Sequence, residues 1–169
     1  IAFGNFSHAE GRDTLTSGAY SHAEGRTTLA SGAYSHAEGR ETTSSGDYSH
    51  AEGRQTIAVG LYQHVQGQFN ITSSVEAAFI IGNGASNNNR SNLVVASGSQ
   101  VQITGSFSQG TNAIASGSNS HAEGENTRAV GNRAHAEGYF TSALGNNSHA
   151  EGSGSTAFGN NSHAEGAGT

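Results

Sequence analysis

Ser21-His22-Ala23-Glu24-Gly25 is a five-residue unit that recurs along most of the chain. The glycine that ends each unit belongs to a tighter spacing of seven residues, which runs from Gly4 to Gly67 and again from Gly110 to Gly166. All nine histidines lie at the second position of this unit or of a degraded copy. Copies begin at Ser7, Ser21, Ser35, Ser49, Ser120, Ser148 and Ser162, and Ala134 begins a copy with one change.

The alternation of small and variable side chains within each unit indicates β-strands, because successive side chains of a strand point to opposite faces. A spacing of seven is also found in coiled coils. Glycine at each such position would cost a helix about 1 kcal/mol, however, and no apolar seam follows the heptad. We therefore predict an all-β fold, a parallel β-roll whose 14-residue coils contain two short strands and two turns.

Parity within the strands divides the side chains between the inside and the outside of the coil. Ser21, Ala23, Thr28 and Ala30 share one parity. Only small side chains allow two short strands to close on each other, so we expect these residues inside. The interior would then be narrow and poor in hydrophobic area.

Aromatic and basic residues recur at the predicted turns. We expect these residues to stack from coil to coil, or to form a stripe that binds a ligand, and we expect each arginine to find an acidic or aromatic neighbour. The recurring residues are Tyr20, Tyr34, Tyr48 and Tyr62, and Arg12, Arg26, Arg40 and Arg54.

Composition limits the possible functions. Hydrophobic residues make up 33% of the 169 residues, below the roughly 45–50% of a typical globular domain, but strict repetition argues against disorder. A net charge of −6 gives no basic surface for nucleic acid. No apolar run approaches the roughly 20 residues of a membrane span, so we expect no membrane insertion. The absence of cysteine fits an extracellular protein without disulfides.

The repeat frame divides the chain into three segments. Residues 1–67 and residues 106–169 carry the two arrays of the repeat. Residues 68–105 form an insert richer in Val, Ile and Asn, with longer strands and an Asn/Gly loop between them. Coil-like spacing returns at 94–98 and 101–105. Ile1 opens within the pattern, so we expect the chain to be a segment of a longer fibre.

The order small-x-Ala-x-Gly with glycine every seven residues resembles the YadA-like heads of trimeric autotransporter adhesins, over about residues 1–67 and 106–169. The resemblance implies a left-handed parallel β-roll assembled as a homotrimer. In that family the strand typically reads Ser-Val-Ala-Ile-Gly, and its Val and Ile face the trimer axis. In Ser21–Gly25 and its copies those two positions hold His and Glu.

The chain also resembles prophage tail and appendage fibre proteins of Gram-positive bacteria that carry the Ser-His-Ala-Glu-Gly repeat. In those proteins the array runs into a segment like residues 63–70, followed by blocks like residues 79–84 and 90–92. A second array follows in this chain, which suggests a related surface fibre.

Histidine and glutamate share one outward face of the predicted coil, which we call the His/Glu face. Three interpretations compete: a packed seam between the chains of a trimer, a metal-binding column, and a solvent-exposed stripe. We favour the seam, because these positions barely vary from coil to coil and a packed environment restricts the choice of residue. The metal column would involve His8, His22, His36 and His50. The seam residues are His8, Glu10, His22, Glu24, His36, Glu38, His50, Glu52, His64, His121, Glu123, His135, Glu137, His149, Glu151, His163 and Glu165.

The opposite outward face, which we call the variable face, changes freely along the chain. It supplies candidate contacts for a binding partner, although its leucines also make it an alternative trimer interface. The candidate contacts are Leu15, Leu29, Ile57, Arg128, Leu144 and Phe158, together with Asn83 and Asn87 of the insert.

No catalytic constellation is apparent. Ser7 and His8 are adjacent in a strand and point to opposite faces, so they cannot act as nucleophile and base. We expect no cofactor. The sequence predicts a non-enzymatic trimeric surface fibre or head that adheres to a host or cell surface through a surface or matrix receptor, with glycans among the candidates. The alternatives are a phage or prophage tail fibre that recognises a bacterial envelope and a passive spacer.

Overall fold

The computed structural model describes residues 1–169 and contains strands, turns and bends but no α-helix. Consequently no helix is present that could cross a membrane. Two compact units make up the chain, Ile1–Gln102 and Ile103–Thr169.

Strands of five residues alternate with strands of two residues from β1 to β9 and from β15 to β18. Up to residue 103 the strands are β1 (His8–Arg12), β2 (Leu15–Thr16), β3 (His22–Arg26), β4 (Leu29–Ala30), β5 (His36–Arg40), β6 (Thr43–Ser44), β7 (His50–Arg54), β8 (Ile57–Ala58), β9 (His64–Gln68), β10 (Phe79–Asn83), β11 (Asn92–Ser97) and β12 (Gln100–Ile103). The remaining strands are β13 (Phe107–Gln109), β14 (Ile114–Ala115), β15 (His121–Glu125), β16 (Arg128–Ala129), β17 (His135–Tyr139), β18 (Ser142–Ala143), β19 (His149–Ala150), β20 (Thr156–Ala157) and β21 (His163–Ala164).

Each coil of the repeat stacks in parallel on the next, with equivalent residues in register. His8 pairs with His22, and His22 with His36. In the first unit the sheets have the orders β1-β3-β5-β7-β9-β10-β11-β12 and β2-β4-β6-β8. In the second unit they have the orders β13-β15-β17-β19-β21 and β14-β16-β18-β20. The predicted all-β parallel solenoid with 14-residue coils is confirmed.

The interior of the coil is filled by small side chains. Ser21, Ala23, Thr28 and Ala30 are each at most 2% exposed, as their parity predicts. The Ser21 hydroxyl donates a hydrogen bond to the carbonyl of Gly18 at 2.8 Å. Because so little apolar area is buried, backbone hydrogen bonds between coils contribute a large share of the stability.

Glycine is required where neighbouring coils approach most closely. A Cβ atom at Gly18 would lie 1.9 Å from the carbonyl oxygen of Gly32, which is an impossible contact. Gly11 also has a positive φ of 99°, a conformation that favours glycine. The seven-residue spacing therefore reflects the packing of one corner on the next.

In both arrays the residue two positions after each corner glycine adopts the left-handed backbone conformation. Most of these residues are not glycine. Tyr20 has a φ of 57°, and Asn126 has the same value. This conformation costs most L-residues about 1–2 kcal/mol, and asparagine adopts it more readily. This conformation was not predicted from the sequence, although the asparagines of the second array were a signal for it.

The end of the first array differs from the regular coils. Phe79 pairs with His64, so this step contains 15 residues. The Asn70 amide accepts from the backbone N–H of Ile57 and donates to its carbonyl oxygen. The Asn70 side chain thus takes the place of a further strand next to β8, at the end of the sheet β2-β4-β6-β8.

Beyond this step the parallel stacking gives way to antiparallel pairing. β11 runs antiparallel to β10, with an irregularity between Ile81 and Gly82, and β12 lies next to β11. The expected loop between paired strands is therefore confirmed. The expectation that coils return at 94–98 and 101–105 is wrong, because these residues belong to β11, β12 and their connections.

Candidate functional site

The His/Glu face carries a ladder of imidazole rings in each unit. In the first unit the rings of His22, His36 and His50 stack with centroids 4.7 to 4.8 Å apart. In the second unit the rings of His121 and His135 stack at 4.8 Å with planes 3° apart. The rings are held at the spacing of the β-strands because each histidine occupies the same register position in its own coil.

Each ladder of histidines runs beside a ladder of glutamates, but the pairing differs between the units. In the first unit His36 Nε2 lies 3.8 Å from Glu24 Oε1, and His50 Nε2 lies 3.6 Å from Glu38 Oε1, so these two histidines meet the glutamate of the preceding coil. His8 instead lies 4.0 Å from Glu10 of its own coil. In the second unit His121 meets Glu123 of its own coil, at 3.5 Å.

These distances are too long for hydrogen bonds between nitrogen and oxygen. Accordingly, the Nε2 atoms of seven histidines are buried without a hydrogen-bond partner. The side chains themselves are only half-buried, with His36 34% exposed and His50 29% exposed. The affected histidines are His22, His36, His50, His64, His121, His135 and His149.

Crowding along the ladders shifts several pKa values. Burial raises the pKa of Glu38 to about 7, and hydrogen bonding with Glu24 and Glu52 and the repulsion of these carboxylates act in the same direction. Hydrogen bonding with Glu38 lowers the pKa of Glu24. Neighbouring carboxyl groups of the first array therefore shift one another's pKa.

In the second array the pKa of the central glutamate, Glu137, is also raised. Hydrogen bonding with Glu151 raises the pKa of Glu137, and burial adds to this effect. Burial, reinforced by neighbouring imidazoles, lowers the pKa values of His36, His50 and His135. These three imidazoles are consequently neutral at pH 7.

Four sets of three side chains bring their possible ligand atoms within 4.8 Å of one another. Of the four histidines in the predicted metal column, His36 and His50 share a set, His22 is in another, and His8 is in none. The predicted column named four histidines of the first array, whereas the sets also include glutamates and histidines of the second array. The sets are His36–Glu38–His50, His135–Glu137–His149, His149–Glu151–His163 and Glu10–His22–Glu24.

An open groove follows the glutamate ladder of the first unit and has a volume of about 750 Å³. Its walls include Glu10, Glu24, Glu38 and Glu52, and Ile81 closes one end. A groove of about 380 Å³ lies beside Glu123 in the second unit. The His/Glu face therefore carries a groove along the glutamates of the first array and a smaller one at the start of the second array.

The candidate contacts of the variable face differ in exposure. Leu15, Leu29, Ile57 and Leu144 are half-buried and Arg128 is exposed, whereas Phe158 is 75% exposed. In the insert, Asn83 and Asn87 are exposed, and Asn87 accepts a hydrogen bond from Arg90 at 2.6 Å.

The turns carry a second set of ladders. The rings of Tyr20, Tyr34, Tyr48 and Tyr62 stack with centroids 4.8 to 5.2 Å apart, so the predicted stacking is confirmed. The expected arginine neighbours are present for three residues: Arg12 meets Asp13, Arg40 meets Glu41, and Arg54 lies over the ring of Phe69.

The repeat matches the family model for the YadA head domain repeat at residues 37–62, 108–134, 122–148, 136–162 and 150–169. Together these residues make up just over half of the chain. The chain belongs to the YadA head family. The first two copies of the repeat lie outside the matched residues, but they stack in the same register as the copies that follow.

YadA heads belong to trimeric autotransporter adhesins, a structural and generally non-enzymatic class whose heads are exposed at the cell surface. The expected YadA-like head is thus confirmed. No curated protein matches the sequence. The resemblance to prophage fibres stays a prediction.

Proposed function

We propose that the chain is an adhesin head segment that forms a homotrimer through the His/Glu face and presents the variable face to a host or cell surface. Membership of the YadA head family carries the proposal, because heads of this family form trimers. A left-handed winding and an extracellular location are parts of the same proposal.

The chemistry of the His/Glu face supports its role as the seam. Glu38, Glu24 and Glu52 form a row of carboxyl groups whose mutual repulsion contributes to the raised pKa of Glu38. Imidazole groups from a neighbouring chain would give these carboxyl groups donors other than one another. Buried charges are favourable when they are paired in this way. The groove beside the row provides space for a neighbour.

The homotrimer is tested by measuring mass by sedimentation equilibrium. We expect three chains per particle, and we expect the variant Glu24→Arg/Glu38→Arg to dissociate into monomers, because like charges would face one another across the seam. Leu29→Arg, in the same coils but on the variable face, is the matched control and should leave the trimer intact.

The opposite result, dissociation by Leu29→Arg alone, would move the interface to the leucine-bearing face. A monomeric parent chain would contradict both interfaces. Circular dichroism of each variant separates dissociation from unfolding.

Adhesion is tested separately with the parent chain on arrays of glycans, matrix proteins and whole cells. We expect saturable binding that is lost in Phe158→Ser and Leu144→Ser, whose side chains lie on the variable face. Asn83→Ala and Asn87→Ala test the insert. Binding only to bacterial envelopes would favour the phage-fibre alternative, and no binding to any surface would favour a passive spacer.

A further inference from the structure

We propose that the His/Glu face binds divalent transition-metal ions such as Zn²⁺, each held by side chains of two adjacent coils. The site formed by His36, Glu38 and His50 is the clearest example, and His135, Glu137 and His149 form its counterpart in the second unit. Two imidazoles and one carboxylate are a ligand set that zinc uses in proteins, with the fourth position left to water or another ligand.

The spacing of the side chains fits a metal ion better than it fits hydrogen bonds. His50 Nε2 lies 3.6 Å from Glu38 Oε1, and His135 Nε2 lies 3.7 Å from Glu137 Oε2. Two ligands of one tetrahedral zinc, each about 2.0–2.1 Å from the ion, are separated by about 3.4 Å. Nitrogen and carboxylate are thus already close to the separation that a shared ion requires.

The two imidazoles of each site need only a small adjustment. The rings of His36 and His50 stack with centroids 4.7 Å apart, and their nitrogens must approach by roughly 1 Å to reach one ion. Within a single chain the side chains are 34% and 29% exposed, which leaves space there for the rings to tilt. The backbone of β5 and β7 can therefore keep its register.

The free nitrogens provide an independent reason for a ligand. Nε2 of His36, His50, His135 and His149 is buried and has no hydrogen-bond partner. Buried polar atoms nearly always have a partner, and an orphaned one calls for a water or an ion.

The geometry also limits the number of ions. Two of the four sets share His149, so only one of that pair can be filled at a time and a chain holds at most three ions. His8, His64 and His121 belong to no set. All ligands of a site come from one chain, so the proposal does not depend on the trimer.

Isothermal titration of the full chain with Zn²⁺ tests the proposal. We expect saturable binding of up to three ions per chain. His50→Gln should lower the stoichiometry by one ion, and so should His149→Gln in the second unit. His64→Gln and His121→Gln are matched controls, because both histidines stand in the same ladders with a buried Nε2 but outside the sets.

Visible absorption of the Co²⁺-loaded chain provides a second readout. We expect the intense bands of tetrahedral Co²⁺ in the parent chain and weaker bands in Glu38→Gln, which preserves the shape of the carboxylate. Absence of Zn²⁺ binding would overturn the proposal, as would an equal loss of ions in the two control variants. Sedimentation with and without Zn²⁺ reports the trimer separately, so failure of either proposal can be recognised alone.

Discussion

The two arrays share one coil but differ at its corners. In the first array the left-handed positions carry stacked tyrosines, with centroids 4.8 Å apart for Tyr20 and Tyr34. In the second array asparagines dominate the left-handed positions. One position before the left-handed Arg133, the Asn132 side chain accepts a hydrogen bond from the backbone N–H of Ser118 in the preceding coil. Asn146 and Asn160 repeat this contact one and two coils further on.

Both kinds of corner satisfy the same backbone requirement. A stacked aromatic pair contributes about 0.5–1.5 kcal/mol, which offsets much of the roughly 1–2 kcal/mol that a left-handed tyrosine costs. Asparagine at the left-handed position incurs less of this cost, and the side-chain amide of Asn147 donates a hydrogen bond to Asn161 Oδ1 of the next coil. The small interior residues and the glycines therefore determine the conformation of the coil, while the side chains at the corners can be exchanged.

Glycine substitution tests whether the two arrays are equivalent scaffolds and should have the largest effect. A Cβ would lie 2.1 Å from the Gly46 oxygen in Gly32→Ala and 1.8 Å from the Gly145 oxygen in Gly131→Ala. We expect each variant to destabilise its own unit by ~3 kcal/mol or more, because the clash is with backbone. Differential scanning calorimetry gives the loss.

Gly159→Ala is the matched control for this pair. Its nearest neighbour would be Ser162 Cβ at 3.7 Å, an ordinary van der Waals contact. A large loss in Gly159→Ala, or a loss confined to one of the two arrays, would contradict the shared requirement.

Exchange of corner residues should have an intermediate effect. Asn146→Ala removes the acceptor for the Asn132 N–H, and Asp47→Ala removes the acceptor for the Ala33 N–H in the first array. We expect each to lower the free energy of unfolding by about 0.5–1.5 kcal/mol. Ala33→Asn should raise the melting temperature, because it offers the backbone N–H of Ala19 the same acceptor. No gain in Ala33→Asn would mean that the asparagine corner cannot be transferred.

The smallest effects concern protonation. Glu38→Gln should stabilise the first array more at pH 8 than at pH 4, measured with a chelator present. The reason is that a carboxyl whose pKa is raised to about 7 on folding loses stability as the pH rises from about 4.5 toward 7. Glu137→Gln should act in the same direction in the second array. An NMR titration of Glu38 with an ordinary midpoint would contradict this prediction.

Glu41 should show the opposite dependence of stability on pH. Its pKa is lowered by hydrogen bonds from Arg40 and Gln55, so its contribution is present above the ordinary pKa and is lost as the pH falls through the folded value. Phe140 holds the corresponding left-handed position in the second array. We therefore expect only the first array to lose this contribution in acid, as measured by thermal unfolding of Glu41→Gln at pH 3 and pH 6.

Periodic features were predictable from the sequence and local choices were not. The 14-residue coil, the small interior of Ser21 and Ala23, and the tyrosine stack all follow from repetition. The left-handed tyrosines were not predictable, since steric preference disfavours them and only the stack compensates. The extra residue between His64 and Phe79, and the change to antiparallel pairing at β11, follow from contacts that lie outside the period.

The candidate site was predicted only in outline. Parity assigns His36 and Glu38 to one outward face. It does not determine whether a histidine meets the glutamate of its own coil, as His121 does, or that of the preceding coil, as His36 does. That choice depends on side-chain rotamers, which differ little in energy on a half-exposed surface.

The in-register stacking of identical coils has a consequence for how such a chain can vary. Because His22 stands on His36 as His8 stands on His22, removing residues 22–35 would bring the same residue types together again. Duplication of a coil would do the same. Recombination between the near-identical gene segments that encode the coils can therefore lengthen or shorten each array in whole-coil steps without designing a new contact.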